Sequence, residues 1–499
     1  MNGYHQNLYN CRLIYILVAS FTSLGFVLFL PIVALLFFMF GQKIRIIFLL
    51  LASYYFYMSW RPEYAILILL STVVDYFAGI LISKNKSLLQ RRLFLAISLT
   101  VNLGLLFFFK YFNFLSDSLR HILSLVSVQM DPIFQTFILP VGISFYTFQT
   151  IGYTVDVYNK KIEPQKNFLK FALYVSFFPQ LVAGPIERAK NLFPQFDMTH
   201  KFEINRATDG LKLMLWGFFK KLVIADNAAI VVDTIYADPA HFGGVYLWIA
   251  TILFSIQIYC DFSGYSDIAI GCAKILGFKL MDNFNRPYFS KSIAEFWRRW
   301  HISLSTWFKD YIYIPLGGSR VGKIRWSLNI MLVFLISGIW HGANWTFIVW
   351  GILHGFFIVV SPFTKKVSIF ARKMVLMKEN GLVSCLLQVV TTYLLVLLAW
   401  VFFRSPSITS AWDIIKRMLT PAVHEFGIQS IGLSTGSLIA VFVAIVFMEL
   451  IHFCQEHSGM REMFDNKSAL IRVSAYMFMI IFIVLFGAFG KGSFIYFQF

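Results

Sequence analysis

Long apolar stretches recur along the whole chain, and they limit the fold more than any other feature. A bilayer core about 30 Å thick takes about 20 apolar residues to cross as a helix, the form that satisfies its own backbone hydrogen bonds in lipid. The sequence therefore predicts an all-α polytopic membrane protein with roughly eleven transmembrane helices. The predicted spans are 21–40, 44–60, 63–83, 93–115, 132–157, 207–235, 245–275, one or two within 326–360, 382–403, 433–452 and 470–489.

The charge distribution gives the expected topology. Among 499 residues there are 43 Lys and Arg against 25 Asp and Glu, an excess that in such a protein belongs to cytoplasmic loops. Basic clusters near 43–45, 84–92 and 160–170 lie two crossings apart, which places them inside and the N-terminus outside the cell. Segment 280–325, with eight basic and three acidic residues, is also predicted to be a cytoplasmic segment of re-entrant or amphipathic type. We interpret 1–499 as one integral-membrane domain, with a short re-entrant element at 168–184 and no nucleic-acid-binding motif.

A histidine lies inside the apolar stretch 326–360. His341 is flanked by Gly338 and Gly342, which permit close backbone approach or a helix break. An ionisable side chain in such a stretch is costly unless it faces protein or water, so a functional role is favoured. The alternative is a buried histidine that ties two helices together by hydrogen bonds. The length of the stretch is compatible with one crossing or with two.

A second histidine, His301, lies in a segment with clear helical periodicity. We predict a helix over 295–311 with His301 on its aromatic face. One interpretation is an amphipathic helix lying on the membrane surface, and the other is a helix folded into the protein beneath a reaction chamber. The other residues of this face are Trp297, Trp300, Leu304, Trp307, Phe308 and Tyr311.

Two carboxylates, Asp261 and Asp267, fall within the predicted span 245–275. Intramembrane carboxylates serve as proton relays or substrate ligands, but they also act as hydrogen-bonded pins where small residues let helices pack closely. The neighbouring Ser263 and Gly264 favour the structural role. The five cysteines are scattered without the spacing of zinc sites, so we expect neither a metal nor a disulfide.

Taken together, these stretches resemble the membrane-bound O-acyltransferase (MBOAT) family, in particular its bacterial branch of alginate O-acetyltransferase-like proteins. The two histidine motifs with a Pro-Leu-Gly-Gly loop between them are the most specific part. The resemblance extends from about Phe21 to the C-terminal residues 494–499, and residues 1–17, which match nothing in the family, are interpreted as an N-terminal extension or an early start. The matching stretches are 139–149, 183–186, 261–267, 283–288, 296–305, 313–318 and 340–342.

The resemblance implies a chamber of transmembrane, re-entrant and amphipathic helices that transfers an acyl group from a thioester to an alcohol. It implies that His341 is catalytic and that His301 is a second functional residue. A hydroxyl needs a base near neutral pH, so we assign His341 as general base, while His301 orients the acceptor or stabilises charge on the thioester carbonyl. Asn344, three residues after His341 on a helix, is a supporting candidate by spacing alone, as are Asp261 and Asp267 by position.

The same resemblance implies the substrates and partner. No tightly bound cofactor is expected, and the donor is acetyl-CoA or another cytoplasmic acyl thioester. Arg298, Arg299 and Lys323 are candidates for its phosphates, although they are equally well explained as ordinary cytoplasmic charge. The acceptor is an exported or cell-envelope polysaccharide across the plasma (inner) membrane. Because no Gly-x-Ser-x-Gly motif is present, the expected partner is a separate extracytoplasmic acyltransferase of the SGNH-hydrolase type.

Three other functions are weighed against this one. The D-alanyl-transfer branch, which serves teichoic acids, shares both histidine motifs but takes its donor from a carrier protein. A polysaccharide exporter or proton-coupled transporter would show paired structural halves, and we find no such symmetry. A non-catalytic membrane scaffold would not need histidines inside apolar stretches. The C-terminal residues 494–499 and the chain length favour acetylation.

Overall fold

The computed structural model describes residues 20–128, 131, 139–182, 184–374, 381–420, 431–457, 468–490 and 494–495. The predictions for residues 1–17, Cys11, Ala183 and the tail 496–499 lie outside this part. Every regular element in the described part is helical, which confirms the all-α class. The α-helices are α1 Leu24–Met39, α2 Gln42–Met58, α3 Ala65–Lys84, α4 Leu88–Leu106, α5 Phe112–Leu125, α6 Ile143–Tyr158, α7 Phe168–Ser176, α8 Phe178–Leu181, α9 Ala189–Asp197, α10 Ile204–Phe218, α11 Asp226–Ala237, α12 Gly244–Leu276, α13 Ile293–Arg299, α14 Ile302–Phe308, α15 Lys323–His341, α16 Trp345–Met374, α17 Leu382–Arg404, α18 Ile408–Met418, α19 Thr435–His457 and α20 Ala469–Phe486.

Short helices of other types complete the secondary structure. Turns of 3₁₀ helix occupy Pro62–Tyr64 and Pro287–Phe289. Wider π-helical turns occupy Phe107–Tyr111, Phe219–Ala225 and Lys309–Tyr313. Insertions of π-helix shift the side chains that follow to a new helix face, and they are frequent at functional sites.

Eight helical segments in the described part are long and apolar enough to cross a membrane. The chain is therefore a multi-pass membrane protein, as predicted. The predicted spans 21–40, 44–60, 132–157 and 207–235 also contain helices, but these are shorter or more polar than the eight. The eight segments are Pro62–Lys84, Leu88–Leu125, Gly244–Leu276, Lys323–His341, Trp345–Pro362, Leu382–Arg404, Thr435–Glu456 and Ala469–Phe486.

The chain forms two compact units, which are described one at a time. Among the described residues, the first consists of those up to Met214 together with Tyr265–Met281, and the second of Leu215–Gly264 together with those from Asp282 onward. The interpretation as one domain over 1–499 stays a prediction.

In the first unit, a buried carboxylate joins three helices. Asp75 on α3 accepts hydrogen bonds from the hydroxyl of Ser98 and from Asn102 Nδ2 at 2.8 Å, both on α4. It also accepts one from Thr154 Oγ1 on α6 at 3.1 Å. Because buried polar groups are costly without partners, this network specifies how the three helices pack.

The predicted re-entrant element at 168–184 folds as two short helices, α7 and α8, separated at Phe177. The Tyr174 carbonyl lies just before the break. The side-chain amides of Gln149 and Gln180 donate to it at 2.6 and 2.7 Å. Non-helical backbone at this position is thus satisfied by buried protein groups, as a membrane environment requires.

In the second unit, the stretch 326–360 contains two helices, α15 and α16, and each has a segment long and apolar enough to cross a membrane. They pack as an antiparallel hairpin through glycines. A side chain at Gly338 would collide with the carbonyl of Phe347, and one at Gly351 would collide with the carbonyl of Phe334. Small residues at these positions allow the two backbones to approach closely.

Candidate functional site

His301 lies at a break between two helices. The continuous helix predicted over 295–311 is wrong here, because α13 ends at Arg299 and α14 begins at Ile302. His301 is the N-cap of α14, with φ 42° and ψ 56°, a left-handed conformation that few non-glycine residues adopt. Such strain persists only where surrounding contacts hold it. Here the Ile302 amide donates to the Asn283 carbonyl, and the Asn285 amide donates to the Arg299 carbonyl, both at 2.9 Å.

The aromatic face around His301 is buried inside the second unit. Trp300 and His301 are 0% exposed, and Trp297 is 8% exposed. The interpretation as a helix lying on the membrane surface is therefore wrong, and the segment folds into the protein. Burial lowers the pKa of His301 from 6.5 to about 3, so the imidazole is neutral at physiological pH.

Polar and aromatic contacts fix the His301 ring. Its Nδ1 lies 3.1 Å from Asn283 Oδ1, and the same oxygen accepts a hydrogen bond from Ser303 Oγ at 2.9 Å. The Phe262 ring stands perpendicular to the imidazole, with centroids 4.6 Å apart. The imidazole is therefore held in one plane and one orientation.

His341 is the last residue of α15 and is 2% exposed. Of the two possibilities that the flanking glycines left open, a helix break occurs at Gly342, which is extended with φ −167° and ψ 157°. The imidazole is enclosed by aromatic rings, with centroids at 4.8 Å for Trp350, 5.0 Å for Trp340 and 5.5 Å for Phe403. Its burial thus comes from surrounding protein.

The structure brings the two histidines together although 40 residues separate them in sequence. The Trp340 ring centroid lies 5.0 Å from that of His341 and 5.9 Å from that of His301. Two buried imidazoles that contact one indole form the centre of what we call the histidine cluster, His301, Trp340 and His341. Two imidazoles buried among aromatic side chains can transfer a proton to or from a bound hydroxyl.

Asn344 does not share a helix face with His341. The helix ends at His341, and Asn344 lies in the connection to α16, so the argument from helical spacing is wrong. Its Oδ1 accepts from the Thr346 amide at 3.0 Å, and its Nδ2 donates to the Pro406 carbonyl at 3.0 Å. These contacts give Asn344 a capping role at the start of α16.

Asp261 belongs to a buried ion cluster. Lys221 Nζ lies 2.6 Å from Asp261 Oδ1 and 2.7 Å from Asp226 Oδ1, and all three side chains are at most 5% exposed. The other oxygen of Asp261 accepts from the amide of Ile495 at 2.7 Å. This arrangement fits the structural role favoured for Asp261. Asp267, half-buried further along α12, belongs to the first unit.

The donor-phosphate candidates differ in their surroundings. Arg298 and Lys323 are exposed. Arg299 pairs with both oxygens of Glu456, at 2.7 and 2.8 Å, and with Glu295 at 2.8 Å. A guanidinium engaged with two carboxylates has fewer N–H groups to offer a phosphate, which favours the exposed cations for that role.

The described part of the chain gathers no set of three His, Cys, Asp or Glu side chains that could hold a metal ion. The four cysteines in it, Cys260, Cys272, Cys385 and Cys454, are free. The expectations concerning cofactors stay predictions.

A third buried histidine was missed by the sequence analysis. His354 on α16 is 0% exposed, and its Nδ1 lies 3.2 Å from the indole nitrogen of Trp297. Its ring also stacks on Phe296 and lies 5.0 Å from Trp350. The sequence does contain a signal for His354: it is followed by Gly355 in an apolar stretch, as His341 is followed by Gly342.

Residues 160–404 match the membrane-bound O-acyltransferase family. The chain is 39% identical over 435 residues to the probable alginate O-acetylase AlgI of Pseudomonas aeruginosa, covering 85% of this chain and 80% of that protein. It is 34% identical over 493 residues to the peptidoglycan O-acetyltransferase of Helicobacter pylori, covering 90% and 91%. It is 29% identical over 259 residues to the teichoic acid D-alanyltransferase of Streptococcus thermophilus, covering 48% and 61%.

Proposed function

The chain belongs to the membrane-bound O-acyltransferase family, and from that premise we propose that it acetylates hydroxyl groups of an exported or cell-envelope polysaccharide. The enzyme class, an O-acyltransferase in a multi-pass membrane protein, agrees with the resemblance stated from the sequence motifs. The donor is a cytoplasmic acyl thioester, with acetyl-CoA as our first candidate.

The histidine cluster carries this proposal. His341 and His301 are buried, contact the same Trp340 ring and lie among aromatic side chains that exclude water. An imidazole within hydrogen-bond reach of a hydroxyl is the side chain that most often serves as a general base.

In the proposed reaction, a hydroxyl oxygen of the acceptor attacks the carbonyl carbon of the thioester. His341 removes the hydroxyl proton, the new C–O ester bond forms and the C–S bond breaks. The proton then passes from His341 to the departing thiolate, so that acid and base are regenerated. His301 orients the acceptor or stabilises negative charge on the carbonyl oxygen.

The proposal includes the membrane in which the enzyme lies and the protein with which it works. The enzyme lies in the bacterial plasma membrane with the N-terminus outside and 280–325 inside. The donor binds from the cytoplasmic side, where Arg298 and Lys323 offer exposed cations for its phosphates. An extracytoplasmic acyltransferase of the SGNH-hydrolase type passes the acetyl group to the polymer. If the partner receives the acetyl group before the polymer does, the hydroxyl that attacks the thioester at His341 belongs to the partner or to a carrier.

D-alanyl transfer to teichoic acid is the alternative. The D-alanyltransferase named above matches 48% of this chain, whereas the two O-acetylation relatives match 85% and 90%. The matches to the two O-acetylation relatives extend over most of the chain, and this favours an acetyl donor.

The test is the His341→Ala variant in the native host. Removing a general base costs about 10²- to 10⁴-fold in rate, so ester-linked acetate released from the envelope polymer by mild base should fall to background. His241→Ala, which changes a histidine with a 68% exposed side chain, is the matched control at equal membrane levels. Normal acetylation by the His341 variant would refute the assignment, and ester-linked D-alanine in place of acetate would favour the alternative.

A further inference from the structure

The Asn283 carboxamide oxygen has three polar neighbours in the segment that contains His301. It accepts from Ser303 Oγ at 2.9 Å and from the Ser303 amide at 3.3 Å, and His301 Nδ1 lies 3.1 Å from it. A backbone N–H can only donate, so the Asn283 atom that faces Ser303 must be the oxygen and not the nitrogen. The orientation of the amide group is therefore determined by the backbone.

This orientation determines where the proton of His301 resides. An amide oxygen cannot donate, so the imidazole nitrogen that faces it, Nδ1, must carry the hydrogen. His301 is fully buried and neutral, with its pKa lowered by burial, so the ring has one N–H only. The lone pair is then on Nε2, and this nitrogen accepts hydrogen bonds and cannot donate them.

Asn283 also supports the backbone of His301. Its carbonyl accepts the Ile302 amide at 2.9 Å, directly after the left-handed residue. Asn283 itself is 1% exposed, so water does not compete for these bonds. One residue thereby holds the strained backbone, the ring orientation and the tautomer of His301.

We propose that Asn283 is a positioning residue that keeps His301 in the Nδ1–H tautomer, so that Nε2 accepts a hydrogen bond from a hydroxyl of the acceptor. The inference rests on the proposed function and chooses between the two roles open for His301. A ring without an Nε2 proton orients the acceptor and does not stabilise an oxyanion on the thioester carbonyl through that nitrogen.

The tautomer can be measured without any substrate. In protein labelled with ¹⁵N-histidine and held in nanodiscs, ring nitrogens with and without a proton have well-separated NMR shifts. The His301 signals are identified by their loss in His301→Asn. We expect a protonated Nδ1 and an unprotonated Nε2 in the wild type, a mixture of tautomers in Asn283→Ala, and the wild-type pattern in Ser303→Ala, which removes a different donor from the same oxygen.

Kinetics of the same variants separate positioning from folding. Asn283→Ala should lower kcat by about 10- to 100-fold, the range found for residues that orient metal-bound histidines. Asn283→Asp retains an acceptor for all three donors and should recover most of kcat at high pH. Because its carboxylate stabilises the imidazolium, the acid limb of its pH–rate profile should move to higher pH. His241→Ala, at an exposed histidine outside this network, should stay within about two-fold of the wild type.

The outcomes distinguish this inference from the proposed function. An Nε2–H tautomer at His301 in an active wild type would overturn the inference alone, as would an Asn283→Ala protein with unchanged tautomer and kcat. A wild type with the expected tautomer that transfers no acetyl group would instead refute the proposed function.

Discussion

The indole nitrogen of Trp297 donates a hydrogen bond to Nδ1 of His354 at 3.2 Å, deep in the second unit. Because an indole N–H can only donate, Nδ1 of His354 must accept, and the hydrogen of this neutral ring is on Nε2. His354 therefore has the opposite tautomer to the one inferred for His301.

The Trp297–His354 pair predicts a stability coupling. His354→Leu leaves a buried indole N–H without its acceptor and should destabilise the protein by about 1–3 kcal/mol. Adding Trp297→Phe removes the orphaned donor, so the double variant should be less destabilised than the sum of the two single variants. Thermal unfolding in detergent of the four proteins gives the coupling energy. Strictly additive effects would show that this hydrogen bond does not contribute.

The histidine cluster predicts non-additive kinetics. His341→Ala should abolish acetyl transfer, and His301→Ala should impair it to a lesser degree. If both act in one site, the double variant should be little worse than His341→Ala, because residues that act as a unit are not additive. Acetylation is compared at matched membrane levels. A His301→Ala enzyme with the wild-type rate would remove His301 from the site.

The lowered pKa of His301 predicts acid sensitivity. Between about pH 6.5 and pH 3 the unfolded chain binds a proton at this position and the folded chain does not. The contribution of His301 to stability is thus complete above about pH 6.5 and falls by about 1.4 kcal/mol per pH unit as the pH drops. In His301→Phe the fall of Tm with decreasing pH should be less steep. His241→Phe, at an exposed position, should keep the wild-type slope; an equal slope in His301→Phe would contradict the prediction.

The ion cluster of Lys221, Asp226 and Asp261 predicts a stability defect. Lys221→Met leaves two buried carboxylates facing each other and should cost about 3–5 kcal/mol. Neutralising both partners in the same protein, Asp226→Asn and Asp261→Asn, should restore part of this loss. Lys212→Met, at a lysine with a 44% exposed side chain, serves as the control in the same unfolding assay. Unchanged stability of Lys221→Met would show that the carboxylates do not depend on it.

The proposed topology predicts a labelling pattern. In a background without the five native cysteines, single cysteines at the exposed positions Lys291 and Lys323 should be protected from an impermeant thiol reagent added to intact cells. A cysteine at His241, one crossing of α12 earlier, should react. Labelling at Lys291 or Lys323 from outside would reverse the assigned orientation.

The membrane class and most helices follow from the sequence alone. A stretch of about 20 apolar residues must form a helix in lipid because no other single-segment backbone satisfies its own hydrogen bonds there. Local chemistry also marked His341, since an imidazole with flanking glycines is exceptional in such a stretch, and the helix does end beside Gly342.

Only the tertiary structure decided how the polar groups pair. The residues around His301 satisfy a helical period on both sides, so the break at this residue is invisible locally; it depends on Asn283, 18 positions earlier. Lys221 and Asp226 are five positions apart, a spacing that does not align on an α-helix but does align where the turn Phe219–Ala225 widens to a π-helix. Hydropathy indicates which residues are buried away from water. The partners of a buried charge or a strained backbone depend on the exact helix geometry and on contacts with distant parts of the chain, neither of which hydropathy contains.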